Sequence, residues 1–163
     1  MKISQVTIFA KQAGVEISPY TKRSDNRPNE GRIALRFFHL ESGGVSLRFI
    51  VEPAEAFELW GRMSKVHAEG GKESLSHRFA ANGNEVLTKL TVERYTRNNK
   101  NGFALGLQRG SEEINVPTTP ERFLHAAEFL RHLSLSEAWV EESERGGRDS
   151  PAAPAQGMEN SRE

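Results

Sequence analysis

Cysteine is missing altogether from this chain of 163 residues. Its absence excludes a disulfide framework, a thiolate nucleophile and any cysteine-ligated zinc or iron–sulfur centre. Long apolar runs are missing as well: nothing approaches the roughly 18 consecutive apolar residues that span a bilayer. The start, MKISQVTIFAKQAG, alternates where a signal peptide has an unbroken apolar block. These absences lead to the expectation of a cytoplasmic protein with no membrane association. Neither Gly-x-Ser-x-Gly nor a Walker loop is present, and no Gly-x-Gly-x-x-Gly follows a strand.

The histidines do not make up for this. His125 and His132 lie seven residues apart on one helix face, about 10 Å along its axis, too far to share a metal unaided. His67 sits near a helix C-terminus, where the dipole favours it. His39 and His77 fall within strands and point to the more apolar sides, as satisfied core or edge histidines do. Glu112 and Glu113, adjacent on a strand, project to opposite faces and make a poor acid–base dyad. No catalytic constellation emerges. The expectation is a protein that is not an enzyme and needs neither cofactor nor metal.

What is present is an ordinary globular composition, 36% hydrophobic and 27% charged, with a mean hydropathy of −0.60. The formal charge of zero is unevenly spread. From Glu141 onward six acids face three arginines, a net −3, which leaves +3 on the remainder. Beyond Glu142 the chain is rich in Gly, Pro, Ser and charge and poor in large apolar groups, the composition of a segment that does not fold. Residues 143–163 therefore read as a disordered acidic tail, available to a protein partner or to screen a site. Residues 1–142 read as one α+β domain.

The segment QVTIFAKQAGVEIS alternates like a strand. The stretch from Ser18 to Gly31, with Pro19, Asp25, Asn26, Pro28 and Asn29, reads as a long basic loop. Then GRIALRFFHLESGGVSLRFIVEP forms a hairpin with Ile33, Leu35, Phe37, Val45, Leu47 and Phe49 on a core face, turned at Glu41-Ser42-Gly43-Gly44. A helix follows, opened by Pro53 and closed at Gly70-Gly71. ESLSHRFAANGNEVLTKLTVERY turns at Asn82-Gly83, TRNNKNG turns again, and FALGLQRG leads to Ile114 and Val116, completing a four-stranded meander. The last helix has Thr119 as N-cap and Pro120 at its first position. The order is β-β-β-α-β-β-β-β-α, antiparallel sheet packed by two helices. Its halves, about 1–70 and 72–142, echo each other: Gly31 to Phe57 and Gly102 to Phe123 share one pattern, by duplication or by chance.

The unusual feature is the second face of the strands. Arg36, Phe38, Arg48 and Ile50 occupy the first hairpin's outer side, Phe9 and Lys11 the first strand, and Lys89 and Tyr95 the meander, with Arg94, Arg97, Lys100 and Arg109 near its turns. Cations that follow phosphates, with rings that stack on unpaired bases, make a surface for single-stranded nucleic acid. The alternative is a covered face, with arginine stems lying over apolar groups in a homodimeric protein–protein scaffold.

A meander followed by one helix, given twice, resembles the single-stranded nucleic-acid binders that include the Whirly proteins and the Pur-alpha repeats. The resemblance is strongest from Ser74 to Leu133. It implies four-stranded antiparallel sheets crossed by helices, units packed through those helices, a homo-oligomer, and bases held on the free sheet faces. By position it carries over Arg36, Phe38 and Arg48 in one unit and Lys89, Tyr95 and Arg109 in the other. The Lys-Gly-Lys-Ala-Leu motif of Whirly proteins is absent, and the first unit counts three strands where the pattern has four.

Overall fold

The computed structural model describes residues 1–41 and 43–142. The tail expected over 143–163 lies outside the described residues. Two four-stranded antiparallel sheets, each followed by a helix, build the molecule. The first holds β1 (Val6–Phe9), β2 (Ala13–Ser24), β3 (Arg27–His39) and β4 (Ser46–Val51), in that spatial order, and α1 (Pro53–Glu69) follows. The second holds β5 (Gly71–Ala81), β6 (Asn84–Arg97), β7 (Lys100–Arg109) and β8 (Glu112–Thr118), and ends in α2 (Pro120–Ser136). No helix among the described residues is long and apolar enough to cross a membrane.

Two expectations are corrected here. The opening segment is two strands, folded back by the Ala10 N–H bonding to the Ala13 carbonyl at 2.8 Å, so four strands precede α1 instead of three. The stretch from Ser18 to Gly31 is not a loop but the far half of the β2–β3 hairpin, reversed tightly at Asp25-Asn26 with Asn26 at φ 61°. Its two prolines lie past the ends of β1 and β4, at edge positions where a missing N–H removes no ladder bond. The register shift between Lys22 and Ser24 absorbs one extra residue of β3 near Pro28. The other turns fall where asparagine and glycine supply left-handed backbone: Asn82-Gly83 at φ 53° and 80°, and Asn98-Asn99 at 52° and 62°.

The helices start as their sequences dictate. The Thr119 side chain accepts from the Arg122 N–H at 3.2 Å, and the Glu55 carboxylate accepts from the Glu52 N–H at 3.4 Å. One contiguous core joins the inner faces of both sheets to the helices. Val15, Ile17, Leu35, Phe37 and Phe49 come from the first sheet, Leu90, Leu105 and Ile114 from the second, and Leu59, Met63, Phe123 and Leu130 from the helices. Both helices thus lie on the inner side, which leaves the opposite face of the first sheet uncovered by them.

The chain after α2 returns to β3. The Gly31 N–H bonds the Trp139 carbonyl at 3.0 Å, and the Glu141 N–H bonds the Asn29 carbonyl at 2.8 Å. Residues 139–141 thereby line the edge of β3 beyond the end of β4.

Candidate nucleic-acid interface

Antiparallel register decides which side chains share the outer face of the first sheet, because directly paired residues project to the same side. Phe9, Gly14, Phe38 and Ser46 form one row across the four strands. Thr7, Glu16, Arg36 and Arg48 form the next, followed by Ser18, Ala34 and Ile50, then Tyr20 and Arg32, and finally Lys22 and Glu30. Of the residues expected here, Phe9, Arg36, Phe38 and Arg48 are brought together, and Lys11 stands exposed in the turn beside them.

Glycine organises the first row. A Cβ at Gly14 would lie 2.5 Å from the Phe38 ring, so the ring lies down across the strand only because the side chain is missing there. Phe9, 58% exposed, meets Phe38 edge-on at 6.0 Å between centroids. The Arg36 guanidinium sits 4.7 Å from the Phe38 centroid and bonds the Glu16 carboxylate at 3.2 Å, which fixes its plane over the ring. Further along, the Arg48 guanidinium lies 5.4 Å from the Tyr20 centroid. Arg48 has no acidic partner among the described residues. Sequence reading missed Tyr20, since its stretch read as loop; once β2 is extended to Ser24, alternation from Gly14 places it on this face.

The second sheet presents a different outer face. Lys89, Tyr95 and Arg97 do lie on it, but among acids: Lys72 pairs with Glu93, and Gln108 lies between Lys89 and Glu113. Tyr95 covers Gly102, where a Cβ would meet its ring at 2.4 Å, repeating the ring-over-glycine device. Arg109 is not on this face. It pairs with buried Thr88 and follows Leu107 at a spacing of two, which puts it on the helix side, 4.7 Å over the Phe79 ring. Nearness to the turn did not reveal this; strand parity sets the face, and Arg109 stays exposed there.

The histidines take structural places. His77 stacks on Phe49 at 4.2 Å and bonds the Glu55 carboxylate. His67 stacks on Phe103 at 5.4 Å, and His125 and His132 are exposed on α2. His39 lines a shallow hollow with Lys11, Gln12, Leu40 and Glu41, beside the ring row. No group of three or more metal-ligating side chains is found among the described residues.

No protein-family model and no curated protein matches the sequence. The fold does match solved structures. The plant transcriptional regulator PBF-2 superposes with a TM-score of 0.56 at 15% identity, over 84% of this chain and 83% of that one. WHY1 from Arabidopsis thaliana gives 0.54 at 15% identity, over 85% and 86%. The topology therefore resembles the Whirly type across most of the chain.

Proposed function

We propose that the chain binds single-stranded DNA or RNA, without catalysis and with little sequence preference, on the outer face of the first sheet. One observation carries this reading: Phe9 stands exposed, edge to the Phe38 ring that the Arg36 guanidinium covers, on a face that neither helix covers. The exposed Phe9 ring offers a stacking surface to any base, since every base has a π-face, Arg36 and Phe38 support it, and Arg48 and Lys11 provide charge for the flanking phosphates. The fold likeness to a plant transcriptional regulator agrees with a nucleic-acid partner. On the second sheet, Lys89, Tyr95 and Arg97 sit among carboxylates and contribute less.

The test is fluorescence anisotropy of labelled single strands at low and raised salt. Affinity falls steeply with salt, and Phe9→Ala with Phe38→Ala weakens it by about 1–3 kcal/mol for each base that loses its ring. Absence of binding at low salt would falsify the proposal. A change in the solution-scattering mass of the double variant, with binding intact, would instead favour a homo-oligomer that buries this face.

A further inference from the structure

The β2–β3 hairpin is much longer than its neighbours require. β2 has 12 residues and β3 has 13, against 4 in β1 and 6 in β4, so the hairpin projects beyond both flanking strands. Its outer face continues the ring face without a break, from Gly14 through Ser18 to Tyr20 and Lys22. Lys22, Arg23 and Arg27 are exposed at the far end. None of these three has an acidic partner among the described residues, whereas Arg32 is bonded to Glu30 at 3.2 Å. The nearby opposing charges are Asp25 at the tip, Glu30 directly across from Lys22 but bonded to Arg32, and Glu141, whose carboxylate faces Asn29 Nδ2 at 3.4 Å.

We propose that this hairpin is a phosphate-binding finger, and that one nucleic-acid strand runs along β2 from the Phe9–Phe38 row, past Arg48 and Tyr20, to Lys22 and Arg27, which share this face; Arg23, between Lys22 and Ser24, projects to the opposite one. The inference rests on the sheet-face reading and adds a direction and a length to it. At about 3.4 Å per residue the eight steps from Gly14 to Lys22 span roughly 27 Å. At about 3.4 Å per nucleotide in a stacked strand, that length holds no more than about eight nucleotides. The two ends then do different work. Rings at one end hold bases, and the finger holds backbone with no base contact, so it lengthens the site without adding sequence preference.

The experiment compares the full chain with a Lys22→Gln, Arg27→Gln variant on labelled oligothymidylates of 4, 8 and 12 nucleotides across a salt series. Both side chains are exposed, and thermal melting checks that the fold is kept. The wild-type chain gains affinity from 4 to 8 nucleotides and little more at 12. The variant keeps the 4-nucleotide affinity within about twofold but loses the gain at 8, and the slope of log K against log salt on long strands falls by about 1.4, as two lost phosphate contacts on a single strand dictate. An unchanged slope, or an equal loss on 4 and 12 nucleotides, overturns the finger while leaving the ring face standing. If the wild-type chain binds none of the strands, both fall together.

Discussion

Two glycines of the first sheet separate function from stability at the level of single residues. At Gly31 a Cβ would lie 2.0 Å from the Glu137 carbonyl oxygen and 2.7 Å from the Trp139 indole nitrogen. The first of these is backbone, which has little room to yield. Gly31→Ala is therefore expected to cost about 1–3 kcal/mol, the range of overpacked cores, seen as a lower urea midpoint. At Gly14 the near atoms belong mainly to the Phe38 ring, at 2.5 and 2.8 Å, with the Ile8 carbonyl at 3.0 Å. The ring can swing outward, so Gly14→Ala should leave the midpoint nearly unchanged while weakening single-strand binding, because Phe38 no longer lies down between Phe9 and Arg36. Equal loss of stability in the two variants would show that the ring row is packing and not a prepared surface. The Phe38 side of this pair was legible from alternation alone. The glycine beneath it was not, since the pairing of Gly14 with Phe38 depends on a register between strands that one sequence does not display.

Among the elements, the helices and the second meander could be read directly, because Pro53, Thr119-Pro120, Gly70 and Asn82-Gly83 act locally. The β2–β3 hairpin could not. Its prolines and asparagines are individually strand-breaking; Asn26 fits because it sits in the turn, and the prolines because no strand needs an N–H from them, which is a tertiary fact. Packing of α1 on α2 was implied by the resemblance, but the side-chain tie between them gave no sequence signal. There the Trp60 indole N–H donates to Glu128 at 2.9 Å, and the Arg131 Nε donates to the other carboxylate oxygen at 3.1 Å. The Trp60 hydrogen bond first, and Arg131 second, hold the Glu128 carboxyl below its ordinary value of 4.5. A depressed carboxylate contributes stability that is present above its unfolded value and is lost as pH falls through the folded one. Melting temperature should therefore drop more between about pH 6 and pH 3 for the wild-type chain than for Glu128→Gln, with a small difference because the group is exposed. Parallel curves would remove this tie from the account of how the helices hold together.

For the whole molecule, the two units share a topology but not a surface. The first sheet gathers Phe9, Tyr20, Phe38, Arg36 and Arg48 on its outer face, while the second sets Lys72, Lys89 and Tyr95 among Glu93, Glu113, Gln108 and Asn115. The last residues described take part in the first unit, since the chain at 139–141 occupies the edge that β4 leaves open on β3. This separates two truncations that the sequence alone treats as one. Beyond Glu142 the chain holds four acids and three arginines, a net −1, so removing it changes the long-range field little. A chain ending at Glu142 should keep its melting temperature and hold its single-strand affinity within about twofold. A chain ending at Ser136 loses the two backbone hydrogen bonds to Gly31 and Asn29 and uncovers the root of the finger. At about 1 kcal/mol for each bond, before any packing of Trp139 is counted, its urea midpoint should fall clearly, and its loss of affinity should concentrate on strands longer than about four nucleotides. If the two truncations melt alike, residues 137–142 are not part of the first unit; if the shorter one melts lower yet binds long strands as before, the finger does not depend on the strap that backs it.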